Sequence, residues 1–308
     1  MEWLSCIRST IEYIENNLEN DITIDSIAKE VYVSPFFLQR GFSIIVGYGI
    51  SEYIRNRRLY QAGLDLQKTS DKVIDIAFKY GYESHESFTK AFTRFHGVTP
   101  TQARLGSPIK VFLPLKVNIN IQGGQEMDYK IAPMFPIKVI GFLKEFTYEE
   151  AHQEIPKFWD EICQKYANNV YAGNDPANPY EQALVDNCIG EYGVCIDDLG
   201  NDKFRYMIAG KYTGGEIPEG MAVYEFPRGL WAIFECIGPN PETLQSVTTR
   251  IFNEWLPGNP DYELCGNANI EWYDCINGNM TDDDYHSQVW IPIKMKNKGS
   301  IKSFKILR

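Results

Sequence analysis

Residues 80–104 read YGYESHESFTKAFTRFHGVTPTQAR. Gly81 permits a tight turn, and Ser84 suits a helix N-cap. Across residues 85–95, Phe88, Ala91, Phe92 and Phe95 recur at helical spacing and mark the core face. Glu86, Ser87, Lys90 and Arg94 fall on the opposite face, with His85 at the leading end. Gly97 closes the helix, and Thr99-Pro100 opens a short one ending near Arg104. The preceding DKVIDIAFK patterns as another short helix. Helix, turn and outward-facing helix in this order predict a DNA-reading helix-turn-helix.

Moving upstream, residues 26–47, SIAKEVYVSPFFLQRGFSIIVG, repeat the arrangement. Ile7, Ile11, Ile14 and Leu18 predict a first helix over 3–19, and Ile24, Ile27, Ala28 and Val31 a short second one capped by Asp21 or Thr23. Ser34 caps the next, with Pro35 at its first position, where a missing N–H costs nothing. On that helix Leu38 and Phe42 point to the core with Phe37 or Ile45. Phe36, Gln39, Arg40 and Ser43 share the expected outward face. Gln pairs bidentately with adenine, and Arg with guanine or phosphate. A longer helix from Ile50 to about Gln67 carries Arg55, Arg57 and Arg58, and at ~1.5 Å per residue forms a rod of roughly 25 Å. Two reading helices held apart by it are expected to reach successive major-groove segments about 34 Å, or 10 base pairs, apart.

Residues 4–104 resemble the DNA-binding domain of the AraC/XylS family of bacterial regulators. Gly81, Tyr82, Ser84, Phe88, Phe92, Phe95, Gly97, Pro100 and Arg104 carry the resemblance. It implies DNA contacts from Phe36, Gln39 and Arg40 in the first unit and from His85, Glu86, Ser87 and Lys90 in the second, with Ser43 on the same face as the former. Arg55, Arg58 and Arg94 are expected on phosphates. Glu86 departs from the expected chemistry: it repels phosphate but accepts a hydrogen bond from cytosine N4.

The 308-residue chain has a net charge of −11. Residues 1–108 hold 12 Lys+Arg and 13 Asp+Glu, against 18 and 28 in the remainder, so the acid belongs to the C-terminal part. A basic face on the N-terminal part must come from charge placement. No apolar run approaches the roughly 18–20 residues that span a bilayer. Seven widely spaced cysteines without a C-x-x-C suit buried thiols in a reducing cytoplasm.

Beyond residue 106 the chain changes character. SPIKVFLPLKVNINIQGGQE at 107–126 reads as a linker, its VFLPLKVNINI alternating like a strand and Gln122–Gln125 forming a hinge. From 127 to 308 strands are expected at 136–147, 189–196, 204–211, 229–237, 268–274 and 287–294, with helices at 152–167 and 242–255 and an irregular loop at 168–187. That is β-α-β-β twice, an antiparallel sheet with both helices on one face. The fold class is thus an all-α N-terminal domain with two helix-turn-helix units, followed by an α+β domain.

GLWAIFECIGP at 229–239, EWLPGNPDYEL at 254–264 and IEWY at 270–273 make this second domain resemble the GyrI-like effector-binding domain. The resemblance implies a lipophilic, cationic small-molecule effector neutralised by a glutamate in an aromatic pocket, here Glu271. Tyr273 shares its strand face, and Trp231, Phe234, Trp159, Tyr192 and Phe146 are candidate walls. His85, His96, His152 and His286 are scattered, and no nucleophile elbow, zinc-protease or phosphate-loop motif occurs. Neither metal nor cofactor is expected, and no enzyme activity. The alternatives kept open are hydrolysis of a reactive ligand by Glu271 with an aromatic partner, and a C-terminal domain that binds only proteins. The expected partners are double-stranded promoter DNA, the effector and RNA polymerase, and not a membrane.

Overall fold

A computed structural model describes residues 3–117, 127–200, 203–275 and 279–296. The chain divides into two compact units. The first comprises Met1–Gly123 with Lys144–Asp160 and Ile196–Tyr206; the second comprises Gly124–Leu143, Glu161–Cys195 and Met207–Arg308. Among the described residues no helix is long and apolar enough to cross a membrane.

The first unit begins with seven helices: α1 (Trp3–Asn16), α2 (Ile24–Val31), α3 (Pro35–Val46), α4 (Ile50–Lys68), α5 (Val73–Lys79), α6 (His85–His96) and α7 (Pro100–Arg104). Their boundaries are written in short-range chemistry. Thr23 and Ser26 exchange hydrogen bonds in a capping box at α2. The Ser34 and Ser84 hydroxyls accept from the N–H groups of Phe37 and Ser87 at α3 and α6. Gly47 and Gly97 end those two helices in the left-handed conformation. Leu59, Ala62 and Leu66 of α4 join Ile76, Ala77, Phe88 and Phe92 in one core under α5 and α6.

Residues 107–115 are not a strand. The alternation expected from Val111 onward forms none as far as residue 117, and the rest of that pattern, like the Gln122–Gln125 hinge, lies outside the described residues. Residues 107–115 are instead held by side chains of α4 and α6. Gln67 donates to the Ser107 carbonyl, the Lys110 N–H donates to His96 Nδ1, Arg57 donates to the Phe112 carbonyl, and the Leu115 N–H donates to the Tyr53 hydroxyl. The Phe112 ring sits 6.1 Å from Tyr53, 6.3 Å from Tyr48 and 6.0 Å from Phe95. Side chains satisfy these four backbone groups in the place of a neighbouring strand.

The rest of the chain carries the sheet, most of it in the second unit, with 144–160 and 196–206 counted with the first. In chain order the elements after α7 are β1 (Tyr129–Met134), β2 (Ile137–Thr147), α8 (Ala151–Ile162), α9 (Asn168–Tyr171), α10 (Pro179–Asn187), β3 (Tyr192–Gly200), β4 (Lys203–Lys211), β5 (Met221–Phe226), β6 (Gly229–Ile237), α11 (Glu242–Arg250), α12 (Leu256–Gly258), β7 (Tyr262–Leu264), β8 (Ala268–Tyr273) and β9 (His286–Met295). The strands stand in the order β1-β6-β9-β8-β3-β4-β2-β5, with β7 beside β9. β6-β9-β8 mirrors β2-β4-β3, so the duplicated β-α-β-β units meet at β8 and β3. Both α8 and α11 run on into five-residue π turns, Cys163–Ala167 and Ile251–Trp255. The expected loop at 168–187 contains α9 and α10 instead. Asn178 caps α10 by accepting from the N–H groups of Tyr180 and Glu181, with Pro179 at the first position.

Candidate DNA-reading face and effector site

In α6 the expected face is the exposed one. Phe88 and Phe92 are buried, while His85, Glu86, Ser87, Lys90 and Arg94 are exposed. Arg55 of α4 is exposed as well. Burial pushes the Tyr82 phenol up from its ordinary pKa, and the nearby guanidiniums of Arg55, Arg58 and Arg94 pull the other way. These three arginines from α4 and α6 therefore gather around one side chain.

The α3 expectation needs correction. Phe36 and Gln39 are buried, at 0% and 1% exposure, together with Phe37, Leu38 and Phe42. Phe36 meets Phe37 edge-on at 5.0 Å. An unbroken run of buried residues from Phe36 to Gln39 goes right round a helical turn, so this part of α3 is enclosed rather than amphipathic. Arg40 and Ser43 are half-buried. Two other arginines are engaged inside the fold. Arg57, 2% exposed, forms a bidentate ion pair with Glu15, with contacts of 2.8 and 2.7 Å. Arg58 donates to the carbonyls of Leu18 and Asn20 at 2.8 and 2.6 Å, tying α4 to the turn after α1. Its phosphate-binding capacity is partly used there.

In the sheet, Glu271 is 8% exposed and accepts a 3.0 Å hydrogen bond from the Tyr273 hydroxyl. Strand register fixes its surroundings. Glu271 pairs with Val289, Val289 with Phe234, and Phe234 with Tyr129, so these side chains share one face. Trp255, on the π turn, packs edge-on against Phe234 at 5.0 Å and Tyr129 at 5.4 Å. Cys236 lies near: burial chiefly pushes its thiol up to about 12, and the Glu235 and Glu271 carboxylates add to the rise.

The other candidate walls divide. Trp231 pairs with Pro292 and, three residues from Phe234, faces the opposite side of the sheet. Tyr192 packs edge-on against Trp290 at 6.1 Å, and Trp290, next to Val289, also faces away from Glu271. Phe146 and Trp159 belong to a separate aromatic group in the first unit. Phe146 lies 5.8 Å from Phe158 and 6.2 Å from Tyr206, and the Trp159 indole donates to the Tyr206 hydroxyl at 3.1 Å. Sequence reading places Asn269 with Glu271 and Tyr273 on one strand face and misses Trp255. The two-residue strand repeat signals Asn269, and nothing in the local sequence signals Trp255, whose placement depends on the π turn.

Among the described residues no cluster of His, Cys, Asp or Glu could hold a metal. Cys6, Cys195 and Cys236 are buried as expected, whereas Cys188 and Cys275 are exposed.

A helix-turn-helix domain model matches residues 27–105, and the model of the integron-associated effector binding proteins matches residues 131–293. The HTH-type transcriptional activator AarP of Providencia stuartii is 43% identical over 101 residues, 33% of this chain and 75% of AarP. Right origin-binding protein of Escherichia coli is 26% identical over 179 residues, 58% of this chain and 61% of its own length. The solved structure of SAV2435 bound to tetraphenylphosphonium is 21% identical, covering 55% of this chain and 94% of that one, with a TM-score of 0.44.

Proposed function

The chain belongs to the integron-associated effector binding family through residues 131–293, behind an AraC-type helix-turn-helix domain, and from this premise we propose that it regulates transcription in response to a lipophilic cation paired with Glu271. It is a DNA-binding regulator and not an enzyme. In this reading residues 1–106 bind double-stranded promoter DNA and residues 127–308 bind the effector. The exposed side chains of α6 read bases, helped by Arg40 and Ser43 of α3. Arg55 and Arg94 hold phosphates, and RNA polymerase is the partner that receives the output.

The observation that carries the effector reading is Glu271 itself. A carboxylate buried beside Val289 and Phe234, with a phenol as hydrogen-bond donor, sits in surroundings that penalise its charge. A cation of drug size offsets that penalty, and the Phe234, Tyr129 and Trp255 rings offer it π faces. An effector that prefers one arrangement of the chain shifts the population toward it by its differential affinity.

Titration of the full chain with tetraphenylphosphonium and with neutral triphenylphosphine oxide, followed by tryptophan fluorescence and calorimetry, tests this. The cation is expected to saturate the protein, and Glu271→Gln to weaken it by about 1.4 kcal/mol or more, roughly tenfold, while DNA binding persists. Equal affinity for the cation and the neutral analogue would remove the charge-pairing role.

A further inference from the structure

Two residues from Glu271 along β8, Asn269 is 2% exposed, and neither its side-chain oxygen nor its nitrogen has a hydrogen-bond partner. Strand alternation places it on the same face as Glu271, roughly 7 Å away along the strand. On the β9 side its cross-strand neighbours are apolar. The register in which Ile270 faces Trp290, continued by one position, sets Asn269 beside Ile291. Ile291 pairs with Ala232, and Ala232 with Ile131. None of these side chains can donate or accept. On the same face, the Trp255 indole N–H, over Phe234 and Tyr129, is also buried with no hydrogen-bond partner.

A buried amide without a partner destabilises a fold, and an isosteric leucine at such a position is better tolerated. The fold thus gains nothing from an amide in this row, whereas a ligand does. An amide offers an acceptor and two donors in one plane, which match a carboxamide through two reciprocal hydrogen bonds. We infer that Asn269 is an effector-binding residue that reads a carboxamide-like group on the cation held by Glu271. This rests on the effector reading above and narrows it: the effector is amphiphilic, with an adjacent donor and acceptor roughly 7 Å from its charge.

The test uses a matched pair of cations, benzyltriphenylphosphonium and its meta-carbamoylbenzyl counterpart, titrated calorimetrically into the full chain. The carbamoyl cation is expected to bind about tenfold more tightly to the native chain, the worth of a hydrogen-bonded buried amide. Asn269→Leu should abolish that preference and leave the parent cation's affinity unchanged. Glu271→Gln should weaken both cations alike. Without ligand, Asn269→Leu should unfold at a higher temperature than the native chain. A native chain that binds both cations equally, through Glu271, overturns the role of Asn269 and leaves the effector reading standing. Binding of neither cation removes the reading and this inference with it. An Asn269→Leu chain that melts lower or fails to fold shows the amide to be engaged within the fold, and also overturns the inference.

Discussion

Tyr32 and Gly81 do the same job in the two turns at very different conformational cost. Each is the left-handed residue between a scaffold helix and its reading helix, with φ of 57° and 80°. At Gly81 the left-handed backbone itself favours glycine, and an added Cβ, 2.8 Å from Arg58 Nη1, would also push on a side chain that holds the turn after α1. At Tyr32 the ring is 84% exposed, so core packing does not compensate for the left-handed backbone. Tyr32→Gly is therefore expected to stabilise the chain by about 0.5–1 kcal/mol, the left-handed penalty less the entropy of a freer unfolded chain. Urea unfolding checks this, and a lower midpoint for the variant would show the phenol ring to be doing work on the surface. The glycine was legible in the sequence as a turn signal. The left-handed tyrosine was not, because Tyr carries no preference that marks it. Gly63 is similar: it sits inside α4, where it weakens a helix, and its reason appears only in the fold, where an added Cβ would lie 2.9 Å from Ile109 Cδ1 and 3.2 Å from His96 Nε2.

Among the elements, α6 was readable and α3 only half so. Helical periodicity shows which residues share a face, and it placed His85, Glu86, Ser87, Lys90 and Arg94 together on the exposed side of α6. It does not show how many faces the rest of the fold covers. That is why Phe36 and Gln39 of α3, outward on the helical wheel, are buried. The stretch from Val111 to Ile121 reads like a strand because alternation suits any extended chain, while residues 107–115 find their partners in single side chains far away in sequence. One of these makes a pH-dependent latch. His96 Nδ1 accepts from the Lys110 N–H at 3.1 Å, so Nε2 carries the proton and donates to the Leu59 carbonyl at 3.0 Å. Protonating Nδ1 breaks the first bond. Burial holds the His96 pKa below its ordinary 6.5, and the Lys110 ammonium lowers it further, against the opposing pull of the Leu59 carbonyl. The unfolded chain takes up this proton first, so the stabilisation from His96 is whole above pH 6.5 and is lost as pH falls toward the folded value. His96→Gln, whose amide can donate and accept without titrating, should flatten the melting temperature between about pH 7.5 and 5.5, where the native chain declines. Parallel profiles for the two chains would show that this contact does not titrate in that window.

At the scale of the whole molecule the difficulty is charge: a chain of net −11 binds a polyanion. Sequence counts located the excess acid beyond residue 108 and left the first 108 residues near neutrality, but counts do not tell which arginines are available. Arg57 is spent on Glu15 and the Phe112 carbonyl, and Arg58 on two carbonyls near α1. The exposed cations on the proposed DNA face are Arg55, Lys90 and Arg94. Each phosphate neutralised contributes about −0.9 to the slope of log affinity against log salt, so contacts from these three predict a slope of about −2.7. Little non-specific affinity should then survive at physiological salt, and recognition must depend on base contacts such as Ser87 and Glu86 rather than on field strength. The measurement is a salt titration on the duplex that the full chain selects from a randomised library. Lys90→Ala should reduce the slope by about 0.9 with an unchanged melting temperature. Arg58→Ala should lower the melting temperature more than the slope, because its bonds close the fold. A slope near twice the predicted value would mean that basic groups outside this face reach the DNA, and an unchanged slope in Lys90→Ala would take α6 off the phosphates altogether.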